Sequence, residues 1–175
     1  MSGFDYNIVL IGFMGTGKST VSEYLSSRFA MRIVEMDQVI AKREKMSIPE
    51  IFAAHGEEYF RDLETGLLVE MQSHKNTVIS CGGGAALREK NVVQMKKNGK
   101  VVLLTASPET VYERVKDCDG RPLLDGRKNV EGILELMEQR RDRYEAAADI
   151  VVNTDNKTVT QVCEELVKRL MEMEE

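Results

Sequence analysis

The chain has 175 residues, 42% of them hydrophobic and 30% charged, which suits one domain with a sizeable core. Its 24 Lys and Arg against 29 Asp and Glu leave a net charge of −5, which speaks against a nucleic-acid or anionic-membrane surface. Three cysteines, an odd count without metal-ligand spacing, fit reduced thiols. No apolar run approaches the ~20 residues of a membrane-spanning helix. No repeat, linker or low-complexity tract breaks the pattern, and the start, with Asp5, lacks the marks of a signal or transit peptide. A single cytoplasmic domain is expected.

In chain order, the apolar run Asn7–Ile11 reads as a buried strand. It leads into GFMGTGKST, Gly12 to Thr20, which fits G-x-x-x-x-G-K-[ST] with Gly12 and Gly17 as the outer glycines. Glycines let backbone N–H groups close on polyphosphate oxygens, and the start of a following helix adds partial positive charge. Lys18 is then placed to reach the β- and γ-phosphates, and the Ser19 hydroxyl to take a position on Mg²⁺. Val21, Leu25 and Phe29 recur at helical spacing after the loop. The bland alternative is a glycine turn with a solvated lysine, which does not require this order of strand, loop and helix.

The second strand, Arg32–Met36, is expected to set Glu35 and Asp37 on one side. Carboxylates there can hold Mg²⁺ through water or grip a substrate hydroxyl; equally, Asp37 can cap the next helix. Ser47-Ile48-Pro49-Glu50 reads as a capping box. In GEEYFRDLE, Arg61 and Glu64 stand three apart, where the glutamate can orient the guanidinium for a carboxylate ligand or merely form a solvated pair.

A third strand, Thr77–Cys81, runs into Gly82, Gly83 and Gly84, where the backbone can approach a ligand or simply turn. Ser80 could add a hydroxyl near a metal. No acid ends this strand, so a metal carboxylate is expected from Glu35 or Asp37. After the fourth strand, Val101–Thr105, Ser107-Pro108 opens a helix. DCDGRPLLDGRKN, with Arg121 before Pro122, has the polar, glycine-bearing character of a mobile lid over about 116–129. EQRRDRYE carries Arg140, Arg141 and Arg143 before Tyr144, a pattern also met on solvated helix faces. The fifth strand, Ile150–Asn153, precedes a helix capped by Thr158 and Gln161, whose stripe Val159, Val162, Cys163, Leu166, Val167 and Leu170 is expected to be core. Strands alternating with helices predict an α/β fold, with a parallel sheet, helices on both faces and ligands beyond the strands' carboxyl ends.

Taken in this order, the segments resemble the shikimate kinase family, small P-loop kinases similar in fold to nucleoside monophosphate kinases. The resemblance implies a three-layer P-loop NTPase fold with a five-stranded parallel sheet, flanking helices and a mobile lid. It implies one domain over 1–175 with an acceptor-binding region at about 37–65. The implied reaction is phosphorylation of the 3-hydroxyl of shikimate by ATP with Mg²⁺, on the pathway to chorismate and aromatic amino acids. By matching positions, Gly12, Met14, Gly15, Thr16, Gly17, Lys18, Ser19 and Thr20 would hold the phosphates, and Arg114 would pack on adenine. Asp37, Arg61, Gly82, Gly83, Gly84 and Arg140 would bind shikimate. Lys18, Asp37 and the lid's Arg121, which also reaches the nucleotide, would serve the transfer. Ser19 would hold Mg²⁺, with Glu35 and Ser80 reaching it through water.

Three stretches depart from the family's pattern. Glu35 stands where D-x-D has its first aspartate. Arg140-Arg141-Asp142-Arg143-Tyr144 replaces R-x-P-L-Y, so that Arg140 or Arg141 can fill the second carboxylate-binding role. NTDNKTV lacks a proline that touches adenine. The implied partners are ATP and shikimate, with no nucleic acid or membrane, acting on a monomer. Two other readings stand beside this one: a kinase of gluconate or a nucleotide, and a nucleotide-binding relative that transfers nothing.

Overall fold

Strand β1 (Asn7–Ile11) is buried at every position, which is why it reads as a continuous apolar run rather than an alternating one. In the structure, a computed structural model that describes residues 3–117 and 129–175, it lies at the centre of a five-stranded sheet. The others are β2 (Arg32–Glu35), β3 (Thr77–Ser80), β4 (Gly99–Thr105) and β5 (Ile150–Asn153), in the order β2-β3-β1-β4-β5. Every pairing is parallel.

Parallel neighbours need crossovers, and helices supply them. Helix α1 (Lys18–Phe29) joins β1 to β2, while α2 (Met36–Glu44), α3 (Ile48–His55) and α4 (Glu57–Met71) lie between β2 and β3. Helix α5 (Glu89–Lys97) leads to β4, α6 (Pro108–Val115) and α7 (Val130–Ala147) lie before β5, and α8 (Val159–Met173) follows it. Ile8 and Leu10 of β1 pack with Val21 and Leu25 of α1 and Val162 and Leu166 of α8. Val9 and Ile11 face the other way, into a cluster with Leu67 and Leu68 of α4, Met95 of α5 and Ile133 of α7. Helices thus cover both sheet faces.

The chain leaves β1 for β2 on one side and reaches β4 and β5 on the other. The reversal falls at the carboxyl end of β1, where sheets of this type bind ligands. Capping residues start several helices there: Ser107 accepts from the Thr110 N–H, and Thr158 and Gln161 form a reciprocal box. At Ser47 only half of the expected box forms, because its hydroxyl donates to the Glu50 carboxylate while accepting from the Glu50 N–H.

Two expectations need correction. Strand β2 ends at Glu35, and Met36 already begins α2, so Asp37 sits in the first turn of a helix rather than beside Glu35 on a strand. Glu35 is the N-cap residue, so Asp37 does not cap that helix. Val159, read as core, is 37% exposed because it occupies the first position of α8.

Leu104 of β4 is fully buried, whereas Val151 of the edge strand β5 is 39% exposed. Leu104→Ala should lower the unfolding free energy by ~2–5 kcal/mol and Val151→Ala by less than ~1 kcal/mol in urea denaturation. Equal losses would contradict this burial.

Candidate active site

Between β1 and α1, Gly12, Gly15 and Gly17 have φ of +144°, +77° and +99°, conformations that side chains resist. A Cβ on Gly12 would also strike the Leu104 carbonyl, so only glycine lets the loop leave β1 this close to β4. The Thr16 hydroxyl donates to the Phe13 carbonyl at 2.8 Å. Lys18 Nζ curls back over the loop and donates to the Gly12 and Phe13 carbonyls at 2.8 and 3.0 Å. Gly17 starts α1 without a side-chain cap, which leaves first-turn N–H groups available to an anion.

Lys18, Ser19 and Thr20 line a cavity of about 340 Å³ together with Met14, Gly15, Gly17, Glu35, Asp37, Ser80, Gly82 and Gly83. Glu35 and Ser80 are register partners across β2 and β3, so both side chains end their strands on the same side of the sheet. Among the described residues no cluster of three or more His, Cys, Asp or Glu could cage a metal. Sparse oxygen donors beside a phosphate loop fit Mg²⁺, which keeps several waters and takes one or two protein ligands plus phosphate oxygens.

Through Gly17 and Thr20 the cavity continues into a space lined by Val21, Arg114, Thr154, Lys157, Val159 and Val162. Arg114 Nη1 donates to the Gly15 carbonyl at 2.8 Å. Val159, expected in the core, is therefore a wall of this space. Through Met14, Asp37, Gly82 and Gly83 the cavity reaches, on the other side, a pocket lined by Ile48, Phe52, Phe60, Arg61, Glu64, Gly84 and Arg140.

None of Gly82, Gly83 and Gly84 has a positive φ; what they supply is the absence of a side chain. A Cβ on Gly82 would lie 2.8 Å from Asp37 Oδ1 and 3.1 Å from Glu64 Oε2, and one on Gly83 would lie 3.2 Å from Arg140 Nη1. On Gly84 it would overlap the Arg61 guanidinium. Gly82 thus makes room for two carboxylates, and Gly83 and Gly84 for one guanidinium each.

Arg61 Nη1 donates to Glu64 Oε1 at 2.7 Å, and Nη2 to Glu57 Oε1 at 3.3 Å. Arg61 is 8% exposed and Glu64 fully buried, so the pair is not a solvated one. Burial pushes the Glu64 carboxyl up to about 7 against the opposing pull of Arg61, with Asp37 adding to the rise. Its Oε2 has no hydrogen-bond partner among the described residues.

Arg140 Cζ lies 5.5 Å from the centre of the Phe13 ring, and Nη1 donates to the Tyr144 hydroxyl at 3.4 Å. Tyr144 donates in turn to the Gly83 carbonyl. Arg141 has a side chain 54% exposed and pairs with Glu138, outside this pocket. Of the two arginines the sequence left open, Arg140 stands with Arg61. Arg121 lies outside the described residues, as does most of the segment read as a lid. Sequence reasoning did not find Phe52 and Phe60 as walls, Phe13 as the ring beside Arg140, or Tyr144 as a clasp on the glycine turn, because their spacing carries no common pattern.

The arrangement offers a polyphosphate cradle beside a pocket that presents two arginines and Asp37 to an anionic, hydroxyl-bearing molecule. The family model for shikimate kinase matches residues 14–171. A shikimate kinase of Persephonella marina is 44% identical over 164 residues, covering 94% of this chain and 98% of that protein. The solved shikimate kinase from Acinetobacter baumannii in complex with shikimate has a TM-score of 0.90 at 29% identity, covering 95% of this chain and 93% of that one. A gluconokinase from Sinorhizobium meliloti 1021 has a TM-score of 0.62 at 18% identity, covering 98% of this chain and 94% of that one, a likeness of fold alone. Matched along nearly its whole length by the family and by relatives of this identity, the chain belongs to the shikimate kinase family.

Proposed function

We propose that this protein transfers the γ-phosphoryl group of ATP to the 3-hydroxyl of shikimate, giving shikimate 3-phosphate and ADP. The observation that carries the reading is a shared boundary: Met14, Asp37, Gly82 and Gly83 line both the phosphate cavity and the two-arginine pocket. An acceptor whose carboxylate is gripped by Arg61 and Arg140 presents a hydroxyl to Asp37, which accepts its hydrogen bond or its proton.

Phosphoryl transfer asks the protein mainly for positioning and charge. Lys18 supplies charge at the transferring group, and Gly12, Met14, Gly15, Thr16, Gly17, Ser19 and Thr20 cradle the phosphates. Arg114 packs on adenine. Ser19, with Glu35 and Ser80 through water, would hold Mg²⁺, which would supply charge to neutralise phosphate oxygens. Arg121, outside the described residues, is assigned to the same phosphate by family resemblance. The chain works as one domain, as a cytoplasmic monomer, with small molecules as its partners. Support comes from the free, buried thiols of Cys81 and Cys163 and from the absence, among the described residues, of a helix long and apolar enough to cross a membrane.

ADP release should require MgATP and shikimate, stay near background with gluconate or a nucleoside monophosphate, and disappear in Lys18→Ala while the unfolding midpoint holds. Release indifferent to shikimate would refute the reading. Arg61→Ala and Arg140→Ala should each raise the shikimate KM about ten- to a hundred-fold and leave the ATP KM within about two-fold, because each removes a charged partner of one carboxylate. Arg141→Ala should leave both constants near wild type; the reverse pattern would move the site to Arg141.

Glu64 adds a pH dependence to stability. Its carboxyl titrates at 4.5 when unperturbed and at about 7 in the fold, so between those values the folded state holds the extra proton. The contribution is fully present below the lower value and is lost as pH rises through the upper one, a change of order ~3 kcal/mol. Unfolding free energies of wild type and Glu64→Gln, compared from acid to neutral pH, should diverge over this window, with the variant gaining relative stability. Parallel curves would exclude a raised Glu64.

A further inference from the structure

Behind the acceptor pocket lies a buried polar relay that lines none of the three cavities. Asn91, in the first turn of α5, is fully buried. Its Nδ2 donates to the Ala85 carbonyl at 2.8 Å, and its Oδ1 accepts from the Thr65 hydroxyl at 2.6 Å. Thr65 stands one turn beyond Arg61 on α4; the Arg61 carbonyl is also in reach at 3.1 Å, but Asn91 is nearer. The Thr65 oxygen accepts from Arg88 Nη1 at 3.2 Å, and that guanidinium is anchored on Asp62 and Glu58 of the same helix at 3.0 and 2.6 Å. The Ala85 N–H donates to the Gly82 carbonyl at 3.1 Å, which closes the glycine turn.

The relay joins two elements whose separation decides whether Arg61 is seated. Arg61 belongs to α4, while Gly84, against which its guanidinium lies without room for a Cβ, belongs to the turn after β3. Ala85, the next residue, is tied through one amide to Thr65, a helical turn from Arg61. An asparagine suits this position because one planar group donates to a carbonyl and accepts from a hydroxyl. A hydrocarbon of the same size would take this donor from the buried Ala85 carbonyl and leave the Thr65 hydroxyl to the Arg61 carbonyl of its own helix, which breaks the tie between the two elements.

We propose that Asn91, acting with Thr65, is a positioning residue for the acceptor. It holds Gly84 against the Arg61 guanidinium and so sets the affinity for the acceptor's carboxylate without touching substrate or nucleotide. The proposal rests on the reading of Arg61 as a carboxylate ligand.

Kinetics and shikimate-binding calorimetry of Thr65→Val, Thr65→Ser, Asn91→Asp and Arg61→Ala test it, with unfolding midpoints measured alongside. Thr65→Val keeps shape and loses the hydroxyl; Asn91→Asp keeps shape and loses the donor to Ala85. Both should raise the shikimate KM and Kd about five- to twenty-fold and leave kcat and the ATP KM within about two-fold. Thr65→Ser should restore wild-type values. In an Arg61→Ala background Thr65→Val should add little, because the two substitutions remove the same grip. Lower midpoints with an unchanged shikimate KM, or equal rises in both KM values, would overturn the proposal and leave the relay as scaffolding. If Arg61→Ala raises the shikimate KM but Thr65→Val does not, only this inference falls; if Arg61→Ala has no effect, the reading beneath it falls too. Should Asn91→Asp fail to fold, the Thr65→Val and Thr65→Ser pair decides.

Discussion

A guanidinium buried against a glycine is the constraint on which the acceptor side depends. Arg61 and Glu64 meet at 2.7 Å with almost no exposure, and two desolvated charges in contact lose more hydration than a surface pair does. Such a pair is poor evidence for stability. Its value lies in direction: Glu64 takes one nitrogen of the fork, Gly84 lies against the guanidinium, and the Phe60 ring centre lies 5.3 Å from its central carbon. The raised titration of Glu64 is the visible cost of this arrangement.

Glycine serves two different physical ends in this molecule. In the phosphate loop it provides positive φ, a backbone conformation that side chains resist. After β3 it provides empty space, into which Asp37, Glu64, Arg140 and Arg61 fit. The first requirement concerns the backbone of one loop. The second concerns side chains arriving from α2, α4 and α7, and a methyl group there would displace charges rather than strain a turn.

Asp37 sits where these two systems meet. Its place in the first turn of α2 sets it near the positive end of that helix. It also lines both cavities, so a donor and an acceptor bound on either side share it. A strand position, as the spacing from Glu35 suggested, would have tied its direction to the pleat; the helix start frees it to turn toward Gly82.

The phosphate loop, the five strands and the caps at Ser107 and Thr158 were legible in the sequence because their causes are local. Turn glycines, apolar runs and a hydroxyl three residues before its partner act within a few bonds of one another. The same spacing logic brought Arg61 to Glu64 but could not say that the pair is buried, since that depends on Gly84 from another element. Adjacent Arg140 and Arg141 point about 100° apart on α7, and only the packing of that helix against Phe13 and Gly83 selects which one enters the pocket. Val159 belongs to the apolar stripe of α8 by period, yet it lies at the helix start and lines a cavity instead. Asn91 and Thr65 carry no motif at all. By itself the sequence determined where the backbone turns and which phosphate chemistry its loop can support. Which charged side chains leave water, and which of them face one another, was decided only in the tertiary structure, because desolvation depends on neighbours that the chain brings together from distant segments.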